Sequence, residues 1–200
     1  MKTYKNIPIF PLKSIILPGG QFPLRIFERR YLDMTRECLK NNEGFIIALT
    51  KRDSEYISSV YDYASYVQIV DWSQLDGGLL GITVEGKKIV KLSNCALDEA
   101  NLLKGDAEEV ECGIDYLVPQ KYQILSKFYK KIYPEIKSYI FHIKPKYNDA
   151  NWLGFRLIEC LPIELDDKAD LISMQEPLDR LERILHLVKK IYPNELNIIN

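Results

Sequence analysis

The chain has 200 residues, of which 46% are hydrophobic and 28% are charged, which is typical of a folded globular protein and excludes a disordered chain. Lys and Arg number 27 against 28 Asp and Glu, so the formal net charge is −1. This balance argues against a general nucleic-acid binder, because such proteins gain most of their affinity by neutralising phosphates. The longest clean apolar run, 45–49, is far shorter than the roughly 20 residues of a membrane span.

The cysteines and the amino terminus predict a cytoplasmic protein. The four cysteines, which form no Cys-x-x-Cys pair, are Cys38, Cys95, Cys112 and Cys160. A chain of this length buries enough surface to fold without disulfides, so we expect four reduced thiols. The amino terminus has positive charge but no apolar stretch behind it, because Pro8 and Pro11 interrupt the run, and no targeting segment is predicted.

Strand patterns occupy the chain from residue 4 to about 112. The predicted strands are 21–26, 45–49, 64–70, 80–84 and 89–92. Pro23 makes the first of them an edge strand or a bulge, because proline cannot donate to a ladder. The last two are predicted to form a hairpin around Gly86-Lys87, entered through the turn 76–78. With one helix at 31–41, these closely spaced strands indicate a small, closed or nearly closed barrel.

The apolar period changes to 3.6 after Val118, which predicts a helical second half. The helices expected are one from Tyr122 that stops at Pro134, one capped by Asp149 that ends at Pro162, one capped by Asp166 that runs to Met174, and one that opens at Pro177. In the last helix Leu181, Ile184 and Leu185 belong to the apolar stripe, while Arg180 is predicted to face solvent. The fold class is therefore α+β, with strands in 1–116 and a helical bundle in 117–200, packed as one unit.

Side chains with catalytic or metal-binding potential are sparse. The two histidines, His142 and His186, have no Cys or carboxylate cluster at ligand spacing, so no metal site is predicted. A Cys160–His142 nucleophilic pair can be written, but no sequence context supports it. Residues 81–88 nearly spell a phosphate-binding loop, yet Lys88 stands where a hydroxyl would hold magnesium. No catalytic residue and no cofactor are predicted.

Charge is distributed unevenly around the middle of the chain. Residues 120–146 carry seven lysines and one acid, whereas residues 98–115 carry seven acids and one lysine. The basic segment is interleaved with aromatic residues, a combination that can hold single-stranded nucleic acid. Phe128, Tyr129 and Ile132 stand at helical core spacing, however, so we favour complementary charging of the two segments or plain solubility.

The first 45 residues carry the most specific pattern. Residues 7–12 read Ile-Pro-Ile-Phe-Pro-Leu, residues 15–20 end in a Pro-Gly turn, and residues 22–31 form a Pro-Leu-x-Ile-Phe-Glu strand that runs into a helix at Tyr31. This order resembles the opening of the N-terminal domain of Lon proteases. The resemblance continues through Gly44-Phe45, the Asp76-Gly77 turn and the Leu161-Pro162 break.

The resemblance implies a barrel similar to the PUA fold in 1–116, followed by a helical subdomain in 117–200. It also implies a non-catalytic module that helps to capture substrate proteins, since the ATPase and the Ser–Lys protease of Lon belong to later domains, whose motifs this sequence lacks. The partners expected are unfolded or specific client proteins, with a weak homodimer left open. An RNA-binding PUA-like module and a small hydrolase with an unrecognised site are the alternatives.

The binding surface is predicted where the first strands meet the helix at Tyr31, because the resemblance is densest there. The candidate apolar contacts are Phe10, Leu12, Phe27 and Tyr31, and the candidate polar contacts are Arg25, Arg29 and Arg30. The prolines among these strands have two readings. They leave edges that accept an extended peptide, or they protect those edges from aggregation.

Overall fold

The structure, a computed structural model, describes residues 1–51, 59–113, 116–137 and 145–193. The chain divides into two compact units, Met1–Val110 and Glu111–Asn200. In the described residues the first unit holds the strands and one α-helix, and the second holds the other α-helices. The predicted α+β class is confirmed.

The strands of the first unit pair in one sheet. The elements are β1 (Thr3–Leu12), β2 (Gln21–Ile26), α1 (Arg29–Asn41), β3 (Phe45–Leu49), β4 (Tyr63–Gln74), β5 (Leu80–Leu97) and β6 (Leu103–Glu109). The strand order is β2-β5-β4-β3-β1-β6, and β5 also pairs with β6. The pairings among β5, β4, β3, β1 and β6 therefore form a closed cycle, with β2 outside it as the edge strand that Pro23 predicts.

The core of the first unit comes from alternate side chains of these strands, because successive residues of a strand point to opposite faces. β3 is buried along its whole length, as its continuous apolar run predicts. One cluster contains Ile7 and Ile9 of β1, Ile46 of β3, and Val90 of β5. On α1, the buried side chains are Tyr31, Met34, Thr35 and Cys38.

The predicted hairpin around Gly86-Lys87 is wrong, because β5 continues without interruption from Leu80 to Leu97. Gly86 is needed there for a close approach of another backbone: a Cβ atom at this position would lie 2.3 Å from the carbonyl oxygen of Leu17. The Gly86 N–H donates to the Gly20 carbonyl, and the Gly86 carbonyl accepts from the Gly19 N–H. The turn predicted at 76–78 is confirmed, and it joins β4 to β5.

Asp106 of β6 holds two bulges in the neighbouring strands. The register of β1 shifts between Tyr4 and Ile7, and the register of β5 shifts between Ser93 and Ala96. The Asp106 carboxylate accepts hydrogen bonds from Lys5 Nζ at 2.9 Å, Asn94 Nδ2 at 3.0 Å and the Asn6 N–H at 3.1 Å. These bonds lower the pKa of Asp106 to about 2.

We expect Asp106 to contribute to acid unfolding. A carboxyl group with a lowered pKa stabilises the fold above its ordinary pKa of about 3.9, and this contribution is lost as the pH falls towards about 2. Asp106→Asn should therefore lower the urea midpoint at pH 6 and flatten its decline between pH 4 and pH 2. An unchanged decline in the variant would contradict this role of the carboxylate.

The second unit is helical where it is described. Its α-helices are α2 (Gln123–Ile136), α3 (Ala150–Cys160), α4 (Leu165–Ser173) and α5 (Pro177–Ile191). The cap predicted at Asp149 is confirmed, since its Oδ1 accepts the Trp152 N–H at 2.9 Å. Pro177 opens α5 as predicted. Two predicted boundaries are wrong: the N-cap of α4 is Glu164, two residues before the predicted Asp166, and α2 runs past Pro134.

The continuation of α2 past Pro134 has a local reason. Proline removes one hydrogen bond from a helix, and here that loss falls in the last turn. The N–H of Lys137 still closes that turn on the Tyr133 carbonyl at 3.0 Å. A proline near a helical end therefore shortens the helix less than the sequence predicts.

Arg180 is predicted to face solvent, and this prediction is wrong because its side chain is buried. Its Nη1 donates to Asn151 Oδ1 at 3.0 Å, its Nε donates to the Leu171 carbonyl at 3.3 Å, and its Nη2 donates to the Met174 carbonyl. The guanidinium also lies 4.6 Å from the centre of the Phe155 ring. Arg180 therefore ties α5 to α3 and to the end of α4, and burial lowers its pKa to about 10.

Removing Arg180 should destabilise the second unit strongly. Arg180→Ala leaves buried acceptors without a donor and opens a cavity, so we expect the free energy of unfolding to fall by about 3 kcal/mol or more. The matched control is Arg183→Ala on the same helix, where the arginine pairs with Asp167 at 3.1 Å on the surface. That loss should stay below about 1 kcal/mol. Urea unfolding followed by helical circular dichroism measures both, and equal losses would contradict the account.

Candidate functional site

Burial removes two residues from the predicted binding surface. Phe10 is 9% exposed and Tyr31 is 6% exposed. Their ring centres lie 4.2 Å apart, and the Phe10 ring is also 6.2 Å from the Phe45 ring. These aromatic rings pack a strand against α1, and their side chains are core, not contact surface. Leu12 is half-buried and pairs with Leu49 of β3.

The three predicted arginines differ in how they are engaged. Arg30 is bound within the unit, since it donates to the Asn101 carbonyl at 2.7 Å and pairs with Glu28 at 2.7 Å. Arg29 is exposed and pairs with Asp33 at 2.8 Å, one helical turn away. Arg25 is exposed and has no hydrogen-bond or ion-pair partner among the described residues. Of the three, Arg25 is the one whose donors are available to a ligand.

Phe27 is the predicted residue that the structure leaves accessible, with 70% of its surface exposed. It follows Ile26, which forms the last pair of β2 with Leu80 of β5. Leu79 precedes Leu80 and is also exposed. The register therefore places Phe27 and Leu79 on neighbouring segments of the backbone, at the same end of the sheet.

Trp72 adds a large aromatic side chain on the third strand of this region. β4 pairs with β5 through Gln74 opposite Leu80, and its last residues, 70–74, are all exposed. The indole of Trp72 is 61% exposed, and Val70 is exposed as well. We call Phe27, Val70, Trp72 and Leu79 together the hairpin surface; they are exposed apolar residues at or near the ends of β2, β4 and β5 that flank the turn 76–78.

The turn that carries the hairpin surface is held by its own backbone. The Leu75 N–H donates to the Leu79 carbonyl at 2.8 Å, and the Gly78 N–H donates to the Leu75 carbonyl at 3.2 Å. Gly77 and Gly78 have φ of 75° and 78°, a left-handed conformation that favours glycine. The Leu75 side chain covers Gly81, where a Cβ atom would lie 3.0 Å from Leu75 Cγ. The exposed apolar residues are therefore presented on a defined scaffold.

Trp72, Val70 and Leu79 were missed by the sequence analysis, which ends this strand at Val70. Asp71 and Ser73 flank the tryptophan, so the alternation of apolar and polar residues runs from Val70 to Ser73 and stops at Gln74. Exposure of a tryptophan on a strand is uncommon and is the signal of a contact surface, but it requires the structure.

The structure also bears on the metal, phosphate-binding and cysteine sites that the sequence raises. Among the described residues no group of three or more His, Cys, Asp or Glu is placed to hold a metal ion. Residues 81–88 are extended within β5 and do not form a phosphate-binding loop. Burial raises the pKa of the Cys160 thiol to about 12. His186 is exposed, and His142 lies outside the described residues.

The basic and aromatic segment 120–146 contributes part of its aromatic residues to the helical core. Phe128 and Tyr129 are buried, as core spacing predicts, whereas Ile132 is half-buried. Tyr122 is buried as well. Lys121 bonds to Glu182, and Lys130 lies 4.7 Å from the centre of the Tyr147 ring. Residues 138–144 of this segment lie outside the described part of the chain. Within the described ranges, no helix has both the length and the apolar character to cross a bilayer.

The comparisons with known proteins identify the family. Residues 6–190 match the family model of the ATP-dependent protease La (LON) substrate-binding domain. The chain belongs to this family. The resemblance that the first 45 residues carry is therefore confirmed over most of the sequence.

Curated relatives of this LON substrate-binding domain are Lon proteases. Lon protease 3 of Sorangium cellulosum is 24% identical over 196 residues, covering 92% of this chain and 23% of that protein. Lon protease 1 of Hydrogenovibrio crunogenus is 25% identical over 198 residues, covering 92% of this chain and 24% of that protein. The chain thus spans about a quarter of the length of these relatives.

Solved structures of Lon N-terminal domains have the same fold. The Lon N-terminal domain protein from Xanthomonas campestris superimposes with a TM-score of 0.75 at 26% identity, covering 93% of this chain and 98% of that one. The N-terminal domain of the Mycobacterium avium complex Lon protease gives a TM-score of 0.61 at 16% identity, covering 92% and 97%. The second likeness shows the fold alone.

Proposed function

We propose that this chain is a non-catalytic module that recognises client proteins by binding apolar segments of unfolded chain at the hairpin surface. Membership of the LON substrate-binding domain family supports the substrate class. The observation that carries the proposal is the exposure of Phe27, directly after β2, and of Trp72 on β4. Such exposed aromatic residues on a folded domain are typical of interaction sites.

The physical basis of recognition is the burial of aromatic surface. Phe and Trp rings bring a large apolar contact area with few rotatable bonds, so they bind a partner with little loss of conformational entropy. Arg25, which has no partner among the described residues, supplies donors for a carboxylate or a peptide carbonyl beside them. A folded protein would present little complementary apolar surface, whereas an unfolded segment exposes it.

The first unit is inferred to be a PUA-like barrel, and the closed cycle of strand pairings supports this inference. A PUA-like unit is compatible with RNA as a partner. The described part of the chain favours protein instead, because the accessible aromatic residues of the hairpin surface have Asp71 and Asp76 as neighbours. Phosphates would be repelled by these carboxylates.

Phe27→Ser tests the proposal most simply. The variant should keep the thermal midpoint of the parent within a few degrees, because the Phe27 side chain is exposed and contributes little to the core. Binding of β-casein, an unfolded protein, should weaken by about tenfold or more, since truncating an aromatic anchor removes much of the binding energy. Fluorescence anisotropy of labelled β-casein measures the affinity.

Leu97→Ser is the matched control for Phe27→Ser. Leu97 is also an exposed apolar residue, and it lies at the end of β5 far in sequence from the turn 76–78. We expect its affinity for β-casein to stay within twofold of the parent. Equal weakening by both substitutions, or none by Phe27→Ser in a folded protein, would remove the hairpin surface as the site.

The purified chain is expected neither to hydrolyse ATP nor to cleave β-casein. Residues 81–88 form a strand, and the raised pKa of Cys160 keeps its thiol protonated and therefore a poor nucleophile. Phosphate release and gel analysis of β-casein measure these activities. Cleavage that persists through a final sizing column and disappears in Cys160→Ala would show that the chain is an enzyme.

A further inference from the structure

Near the turn, β4 points some of its backbone N–H and C=O groups away from β5, towards the unpaired edge of the sheet. The Leu75 N–H bonds to the Leu79 carbonyl, which makes Leu75 and Leu79 a hydrogen-bonded pair. Hydrogen-bonded and non-hydrogen-bonded pairs alternate along an antiparallel ladder. By this alternation Trp72 and Gln74 fall in non-hydrogen-bonded pairs with Ile82 and Leu80 of β5. Their N–H and C=O groups therefore point to the outer side of β4.

A second hydrogen bond agrees with this assignment. The Trp72 N–H donates to the Oδ1 atom of Asp71 at 2.8 Å, so it does not donate to β5. No described strand occupies the outer side of β4 at this level, because β3 pairs with β4 only as far as Val67. We call residues 70–74 the open edge of β4.

The free edge of β2 is different, because a proline blocks strand pairing there. In β5, residues whose backbone hydrogen-bonds to β4 alternate with residues whose backbone hydrogen-bonds to β2. Ile82 therefore forms its backbone hydrogen bonds with Leu24, and Leu80 forms them with Ile26. Pro23 then lies at a position whose backbone faces outward. Proline has no N–H there, and its ring obstructs an added strand. Between the two edges of this three-stranded region, only the open edge of β4 presents outward N–H groups in succession.

We propose that the open edge of β4 accepts an extended segment of a client chain as an additional strand. The Asp71 carboxylate covers the Trp72 N–H in the free protein and releases it when the client backbone arrives. This inference rests on the proposed function, since it gives the geometry with which the β4 residues of the hairpin surface, Val70 and Trp72, hold a client. Strand addition provides affinity through main-chain bonds and selectivity through alternate side chains.

The chemistry of the edge defines the preferred segment. Trp72 is exposed on one face of β4, so the client residues on that face should be apolar. Asp71 points to the opposite face and has no cationic partner among the described residues, so the client residues on that face should be basic. The occupant is therefore an extended segment with alternating apolar and basic residues.

N-methylated peptides test whether main-chain pairing occurs. The probe is a labelled heptapeptide with the sequence Lys-Val-Lys-Val-Lys-Val-Lys, acetylated and amidated, and two further versions carry N-methyl groups on the valines or on the inner lysines. In an antiparallel addition the residue opposite Trp72 exchanges both hydrogen bonds with it and shares its face. Methylation of the valines should therefore weaken binding by about tenfold or more, and methylation of the lysines by less than threefold.

Charge substitutions on the protein test the role of Asp71. Asp71→Lys should weaken binding of the unmethylated peptide by about tenfold, because the new lysine repels the basic residues of the peptide and the attractive carboxylate is lost. Asp76→Lys is the matched control, since Asp76 carries the same charge in the turn beyond the edge. Its effect should stay within about twofold at physiological salt.

The outcomes separate this inference from the proposed function. Equal affinities of all three peptides overturn strand addition, and if β-casein still binds through Phe27 the proposed function stands. Failure of the parent chain to bind either probe overturns both. Sedimentation that shows a dimer of the parent chain and a monomer of Asp71→Lys would assign the open edge to a second copy, and this also overturns the inference.

Discussion

The alternation of backbone hydrogen bonds along β5 determines which parts of the first unit are closed and which are open. Each residue of an antiparallel strand directs its N–H and C=O to the same side, so one strand can serve two neighbours in turn. β5 pairs with β2 over residues 80–85, with β4 over residues 80–91 and with β6 over residues 90–97. It can do so only because it continues through Gly86, where the Leu17 carbonyl crosses at a distance that any side chain would forbid. The outward positions of both flanking strands follow from this one strand.

The exposed edges of β2 and β4 are protected from pairing with another chain in different ways. β2 places Pro23 at an outward position, which protects the edge permanently. β4 places Trp72 there and covers its N–H with the carboxylate of Asp71, a contact that a competing backbone can displace. One edge that proline blocks permanently and one that a carboxylate covers reversibly, on opposite sides of β5, are compatible with the proposed binding of unfolded chains.

The second unit is held together in another way, through a buried cation. Arg180 donates to a side-chain amide and to two carbonyls and lies against an aromatic ring. Since these acceptors are neutral, the guanidinium acts as a fixed multiple donor that positions α3, the end of α4 and α5. Its partners come from two other segments, α3 and the end of α4, so the pattern of the helix alone cannot reveal its role.

Much of the architecture could be predicted from local signals, and the failures share a cause. Pro23, Asp149 and Pro177 each fix the conformation of their own neighbourhood, and the structure confirms all three. Gly86 and Arg180 were misread because a distant segment decides their role.

In the candidate site, too, distant segments decide what local sequence signals cannot predict. The position of Phe27 beside the edge strand could be predicted, but the burial of Phe10 and Tyr31 depends on how α1 packs against the strands. Trp72 depends on β4 extending past its partner β3, a tertiary property that alternation does not encode. The sequence therefore names Phe27 as a candidate, and the structure shows which of the candidate side chains are exposed.

Residue-resolved amide hydrogen exchange, with and without β-casein, shows whether a client pairs with the open edge of β4. We expect the client to slow the exchange of the Trp72 and Gln74 amides, whose N–H groups face outward, and to leave the outward-facing Arg25 amide on β2 unchanged. Protection that appears at Arg25 and not at Trp72 and Gln74, or that leaves the whole of residues 70–74 unaffected, would contradict recognition at the open edge of β4.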